Sequence, residues 1–106
     1  MILVHQRYAA KPGLGERVLE TRIEASRRLA ELGVPAGRIW VPAGRDAGLD
    51  QGDAADVIWE CTYADLRERE RIRALQEGDA VFAAIRARQG GQLVRWSREH
   101  YRLVEW

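Results

Sequence analysis

Two helical stretches set among four short strand-like runs constrain this chain more than any single motif does. Ile2 to Ala9 is apolar and β-branched at its start and stops at Lys11-Pro12-Gly13, as a strand does. Leu14 to Leu32 carries Leu14, Val18, Leu19, Ile23, Ala25, Ser26, Leu29, Ala30 and Leu32 on one broad side at helical spacing. Gly33 and Pro35 end that helix. Arg38 to Pro42 and Asp56 to Tyr63 read as strands, and the Gly- and Asp-rich segment Ala43 to Ala55 as a loop between them. Asp65 to Glu77 is helical, with Asp65 or Thr62 as its capping residue. Gly78-Asp79 interrupts the helix, which continues from Ala80 to Arg88 on the anchors Val81, Phe82 and Ile85 and ends at Gly90-Gly91. Gln92 to Trp106 is the last strand.

The order is β-α-β-β-α-β, which predicts an α+β, ferredoxin-like fold: an antiparallel four-stranded sheet with the helices on one face. The 106 residues form one domain, 1–106, because a second core needs more chain. The first and last strands are not read as direct neighbours. A chain this short has nothing left to cover the other face of the sheet, yet the strands carry aromatic residues on both parities. The economical solution is a homodimer whose two sheets pack face to face into an α/β barrel.

Composition narrows the function classes. Seventeen basic residues, all arginine except Lys11, face sixteen acidic ones, for a net charge of +1. That balance gives no broad attraction to phosphate backbones, so no nucleic-acid partner is expected. Trp96, Arg98 and Arg102 would allow a single-strand binder, but the aromatic-and-glycine strand motif of such proteins is absent. The interleaved stretch Asp65 to Arg71 reads as a solvated helix face laced with ion pairs. No apolar run approaches the roughly 18 residues of a membrane span. The start, Met1-Ile2-Leu3-Val4-His5, has no charged leader or signal-like stretch, so the expected location is cytoplasmic. The single cysteine, Cys61, excludes an internal disulfide and a cysteine-based metal knuckle. It reads as a small buried hydrophobe.

Three segments together resemble the NIPSNAP-like proteins of the dimeric α/β-barrel superfamily. They are Tyr8-Ala9-Ala10-Lys11-Pro12-Gly13 ahead of a helix; Trp59-Glu60-Cys61-Thr62-Tyr63-Ala64-Asp65-Leu66 running into Arg67-Glu68-Arg69-Glu70; and Gly78-Asp79-Ala80-Val81-Phe82, where Phe82 stands in a position the family often gives to tryptophan. Gln6 stands where the family's first strand commonly has an arginine. The resemblance implies a dimeric barrel. Its superfamily holds cofactor-free oxygenases, polyketide cyclases, haem-degrading enzymes and proteins of unknown role, so it speaks to architecture before reaction.

His5, Glu60 and His100 are the candidate acid–base residues. An imidazole that titrates near neutrality suits proton abstraction from a carbon acid or a phenol. Either histidine reads equally as a strand residue hydrogen-bonded at the surface or dimer seam. If Val57, Trp59, Cys61 and Tyr63 pack under the helices, then Ile58, Glu60 and Thr62 line the barrel. Glu60 there acts as an acid or base, orients a histidine, or pairs with an arginine. The three residues match a two-histidine, one-carboxylate metal set only in kind, since no local ligand spacing supports it, and nothing marks a porphyrin pocket. No metal or cofactor is therefore expected.

Arg22 projects from the middle of the first helix's apolar side. It either snorkels past the sheet edge, pairs with a buried acid, or holds an anionic ligand. Tyr8, Trp59 and Trp96 join it as candidate ligand-binding residues, because tryptophans lining a lumen favour a flat hydrophobic or aromatic molecule. Gly44 to Gly52 lacks the ending of a phosphate loop and reads as a lid over the barrel mouth. Two functions follow. One is an enzyme, an oxygenase or cyclase acting on an aromatic or polyketide-like substrate. The other is a non-catalytic binding or assembly domain, with a lumen filled by side chains such as Trp96 and Ile58.

Overall fold

A computed structural model describes residues 1–44, 46 and 54–106 of the chain. Most of the expected lid, Gly44 to Gly52, lies outside the described residues. The elements are β1 (Ile2–Ala10), α1 (Gly15–Glu31), β2 (Arg38–Trp40), β3 (Val57–Tyr63), α2 (Leu66–Glu77), α3 (Ala80–Gly90) and β4 (Leu93–Arg102). The strands form one antiparallel sheet in the order β2-β3-β1-β4. This is the expected ferredoxin-like fold with two corrections. β1 and β4 are direct neighbours over most of their length, with a register shift at Ala9/Ala10. β4 ends at Arg102, and Leu103, Val104 and Trp106 continue as exposed chain.

Strand alternation places Val4, Gln6 and Tyr8 of β1 and Val57, Trp59, Cys61 and Tyr63 of β3 on one face, where all are buried. The helices lie on that face. α1 packs on β1 and β3, α2 on β3, and α3 against α1 and α2. α1 contributes Val18, Ala25 and Leu29 at seven- and four-residue spacing, α2 Ile72, and α3 Phe82 and Ile85.

The second helical stretch is two separate helices. Asp65 Oδ1 accepts from Glu68 N–H at 2.8 Å to start α2. Gly78 ends it, and Asp79 starts α3 by accepting from Phe82 N–H at 2.8 Å. Asp79 also accepts two bonds from Arg28 of α1, 2.9 Å from Nε and 2.7 Å from Nη2. The acidic residue at the break therefore ties α3 to α1.

The Arg28 bonds, and then the Phe82 amide, hold the Asp79 carboxyl down from 3.8 to about 2. The native state favours the ionised form, so this contribution is complete above pH 3.8 and fades as the pH falls toward 2. Asp79→Asn keeps a capping oxygen but loses the charge. Thermal melts across this range should show wild-type stability falling more steeply with acid than that of D79N. Parallel slopes would remove Asp79 as a source of acid sensitivity.

The opposite face of the sheet carries Leu3, His5 and Arg7 of β1, Ile58, Glu60 and Thr62 of β3, Trp40 of β2, and Ser97, Glu99 and Tyr101 of β4. No helix covers it. Trp40 and Tyr101 are close to half exposed there.

Candidate functional site

A cavity of about 180 Å³ opens between the sheet, β4 included, and α1–α3. Its buried floor is Tyr8, Trp59, Tyr63, Phe82 and Ile85, with Val4 and Leu29. Its outer wall includes the half-exposed Trp96 and the exposed Arg73 and Arg86. The four residues expected to bind a ligand, Tyr8, Arg22, Trp59 and Trp96, all line this one space.

Arg22 does not snorkel. It is 5% exposed, its guanidinium carbon lies 4.7 Å from the centre of the Trp59 ring, and no acid pairs with it among the described residues. Nη1 donates to Tyr8 Oη at 3.4 Å and Nη2 to Ser26 Oγ at 3.3 Å, both long bonds to neutral oxygens. Nε is buried without a partner. The Trp59 indole N–H donates to the Ala36 carbonyl at 2.9 Å, which fixes the ring beneath the guanidinium.

Tyr8 ends a polar relay. Arg98 Nε donates to Gln6 Oε1 at 2.9 Å, and Gln6 Nε2 donates to Tyr8 Oη at 3.1 Å. With Arg22, the Tyr8 oxygen accepts two bonds, which leaves its own hydrogen to be donated elsewhere. Gln6 is thus the link between the Arg98 and Tyr8 side chains.

The cavity holds four arginines besides Arg22, namely Arg69, Arg73, Arg86 and Arg98. Arg69, read as part of a solvated helix face, is buried. It pairs at 3.1 Å with Glu70, which is largely exposed. Arg73 pairs with Glu77 on the exposed side of α2. Arg98 lies against Trp96, 5.3 Å from its ring centre. Burial pushes the Arg98 guanidinium below the usual arginine range, and Arg86, Arg69 and Arg73 push it the same way. Alternating Arg and Glu along a helix signals ion pairs but not which turn faces the sheet. The four-residue spacing from Arg69 to Arg73 was the available hint.

His5, Glu60 and His100 do not line the cavity. His5 and Glu60 are cross-strand partners on the open face, with Nδ1 3.2 Å from Oε1 and the Tyr101 ring edge-on to the imidazole at 6.1 Å. His100 pairs with Val4 and so lies on the helix face, exposed near the sheet's edge. Partial burial, with Arg69 and Arg98 nearby, pushes its pKa down. The sheet therefore separates the two histidines. Trp96 and Ile58, expected to fill one lumen, are likewise on opposite faces. Among the described residues no group of three metal-ligating side chains comes together. No helix is long and apolar enough to cross a membrane, again among the described residues.

No protein-family profile matches the chain, and no curated protein matches it in sequence. Solved structures do match in shape. A NIPSNAP domain protein from Burkholderia xenovorans superposes with a TM-score of 0.73 at 14% identity, covering 98% of this chain and 95% of the other. An antibiotic biosynthesis monooxygenase gives 0.69 at 13% identity, over 99% and 100%. A dimeric ferredoxin-like protein of unknown function from Thermobifida fusca gives 0.62 at 16% identity, over 96% and 90%. These likenesses show a fold shared with the NIPSNAP domain protein and the ferredoxin-like structures, over 96% or more of the chain.

Proposed function

We propose that this chain is a homodimeric, single-domain protein that binds a small flat aromatic molecule between the sheet and the helices of each protomer. The carrying observation is that Tyr8, Trp59 and Trp96 share one cavity with a few convergent polar groups, the usual makeup of a small-molecule site. A cavity of about 180 Å³ is suited to one substituted ring, since roughly 150 Å³ of apolar cavity holds benzene. A larger, polyketide-like ligand would project past Trp96.

Proton-transfer chemistry on the bound ring, of the kind a cofactor-independent oxygenase or a cyclase requires, is the reaction class we assign. The likeness to an antibiotic biosynthesis monooxygenase supports it, and so does a Tyr8 hydroxyl with a hydrogen left to give. Within this reading Tyr8 takes the acid–base role at the ligand. His5 and Glu60 belong to the open face, where the dimer's sheets meet. A non-catalytic binding domain is the second reading, favoured by the absence of His5, Glu60 and His100 from the cavity wall.

NMR titration with a panel of one- and two-ring aromatic compounds tests the site. The indole N–H signals of Trp59 and Trp96 are expected to shift together, with little change at His5. Shifts confined to His5 and its open-face neighbours, or no binder in the panel, would overturn the assignment. A binder recovered unchanged after prolonged incubation in air would favour the non-catalytic reading.

A further inference from the structure

We infer that the ligand carries a carboxylate, which the Arg22 guanidinium holds with the Tyr8 hydroxyl beside it, so that the cavity selects aromatic acids over their neutral counterparts. The inference rests on the cavity being the binding site.

Arg28 shows what a satisfied guanidinium looks like in this protein. Its Nε and Nη2 donate side by side to the two oxygens of Asp79 at 2.9 and 2.7 Å. In Arg22, Nε has no acceptor, and Nη2 reaches only the Ser26 hydroxyl at 3.3 Å. Arg22 is the more buried of the two and has the greater need of a counter-charge, because a desolvated cation without one is costly. A carboxylate in the cavity would replace two long bonds to neutral oxygens with charge-assisted ones and give Nε the partner it lacks. The Tyr8 hydrogen adds a neutral donor at the same place.

The wall points the same way. Arg69, Arg73, Arg86 and Arg98 also line the cavity, and no aspartate or glutamate does among the described residues. Arg98 is bonded to a neutral amide oxygen and shares its surroundings with three other arginines. Arg69 and Arg73 each pair with a glutamate outside the cavity lining, Glu70 and Glu77, so the local excess rests on Arg22, Arg86 and Arg98. A ring carrying the carboxylate would lie against Trp59 and Phe82.

The test compares benzoate with benzamide, and 2-naphthoate with 2-naphthamide, by isothermal titration calorimetry on the full chain. Each pair matches in shape and differs in charge. The carboxylate of each pair is expected to bind at least about tenfold more tightly, with the margin shrinking as salt is raised. Arg22→Gln should reduce that margin to about twofold or less, read as the affinity ratio within each pair. Arg98→Gln, at a less buried position, should reduce it partly and serves as the second variant if R22Q does not fold. Equal affinities within both pairs for the wild-type chain would overturn the carboxylate and leave the aromatic site standing. If none of the four probes binds, the site falls and the inference with it.

Discussion

Gly37→Ala is expected to destabilise the protein by about 3 kcal/mol, the largest effect of an added methyl group among the described glycines. Gly37 has φ of +74°, a region that side chains disfavour. A Cβ built there stands 2.5 Å from the Glu60 carbonyl oxygen and 2.5 Å from Trp59 Nε1. The first contact is with the backbone of a paired strand, which cannot move aside. The second is with the indole that hydrogen-bonds to Ala36 and supports Arg22. Strain and overpacking therefore add. For a domain of this size the melting temperature should fall by roughly 12 °C or more. Gly33→Ala is the control: its φ is also +74°, but its Cβ meets nothing within 4 Å, so only about 1 kcal/mol should be lost. Equal losses in the two variants would mean that the close approach over Trp59 does not constrain the fold.

The second large effect concerns the open face. If two copies pair through it, Ile58→Lys should convert a dimer of twice 12.1 kDa into a monomer, read by native mass spectrometry or light scattering. Ile58 sits on β3 among Arg7, Trp40 and Glu60, part-buried within one protomer. A two-fold interface carries the substitution twice, so two ammonium groups would enter one seam. A weakening of about 100-fold or more is expected, with the cavity on the other face left intact. A wild-type chain that is monomeric at micromolar concentration would overturn the face-to-face pairing. The exposed Leu103, Val104 and Trp106, which follow β4, offer further apolar surface to a second copy.

Arg22 was the one candidate site residue legible as an anomaly, because an arginine inside an apolar helical stripe breaks a strict pattern. The pattern left its environment open, and the structure replaced a snorkelling side chain with a buried one stacked on Trp59. The histidines show the opposite case. Both lie in strands and both are chemically apt, yet the pairing of Val4 with His100 and of His5 with Glu99 puts them on opposite sides of the sheet. A one-residue slip of β4 would have brought them to the same face. No local signal sets that register.

The amino-acid sequence alone determined the order of elements, the helix break at Gly78-Asp79, and which residues share a strand face. Those features follow from periodicities of 3.6 and 2 and from capping chemistry, all of which act over a few residues. Tertiary structure alone decided that β1 lies beside β4, that Arg69 turns inward, and that Gly37 closes over Trp59. It also decided that arginines from α1, α2, α3 and β4 meet in one cavity. These outcomes join residues far apart in the chain, and they depend on sheet register and on how the helices sit across the sheet. Both are set by the packing of the whole core rather than by any segment of it.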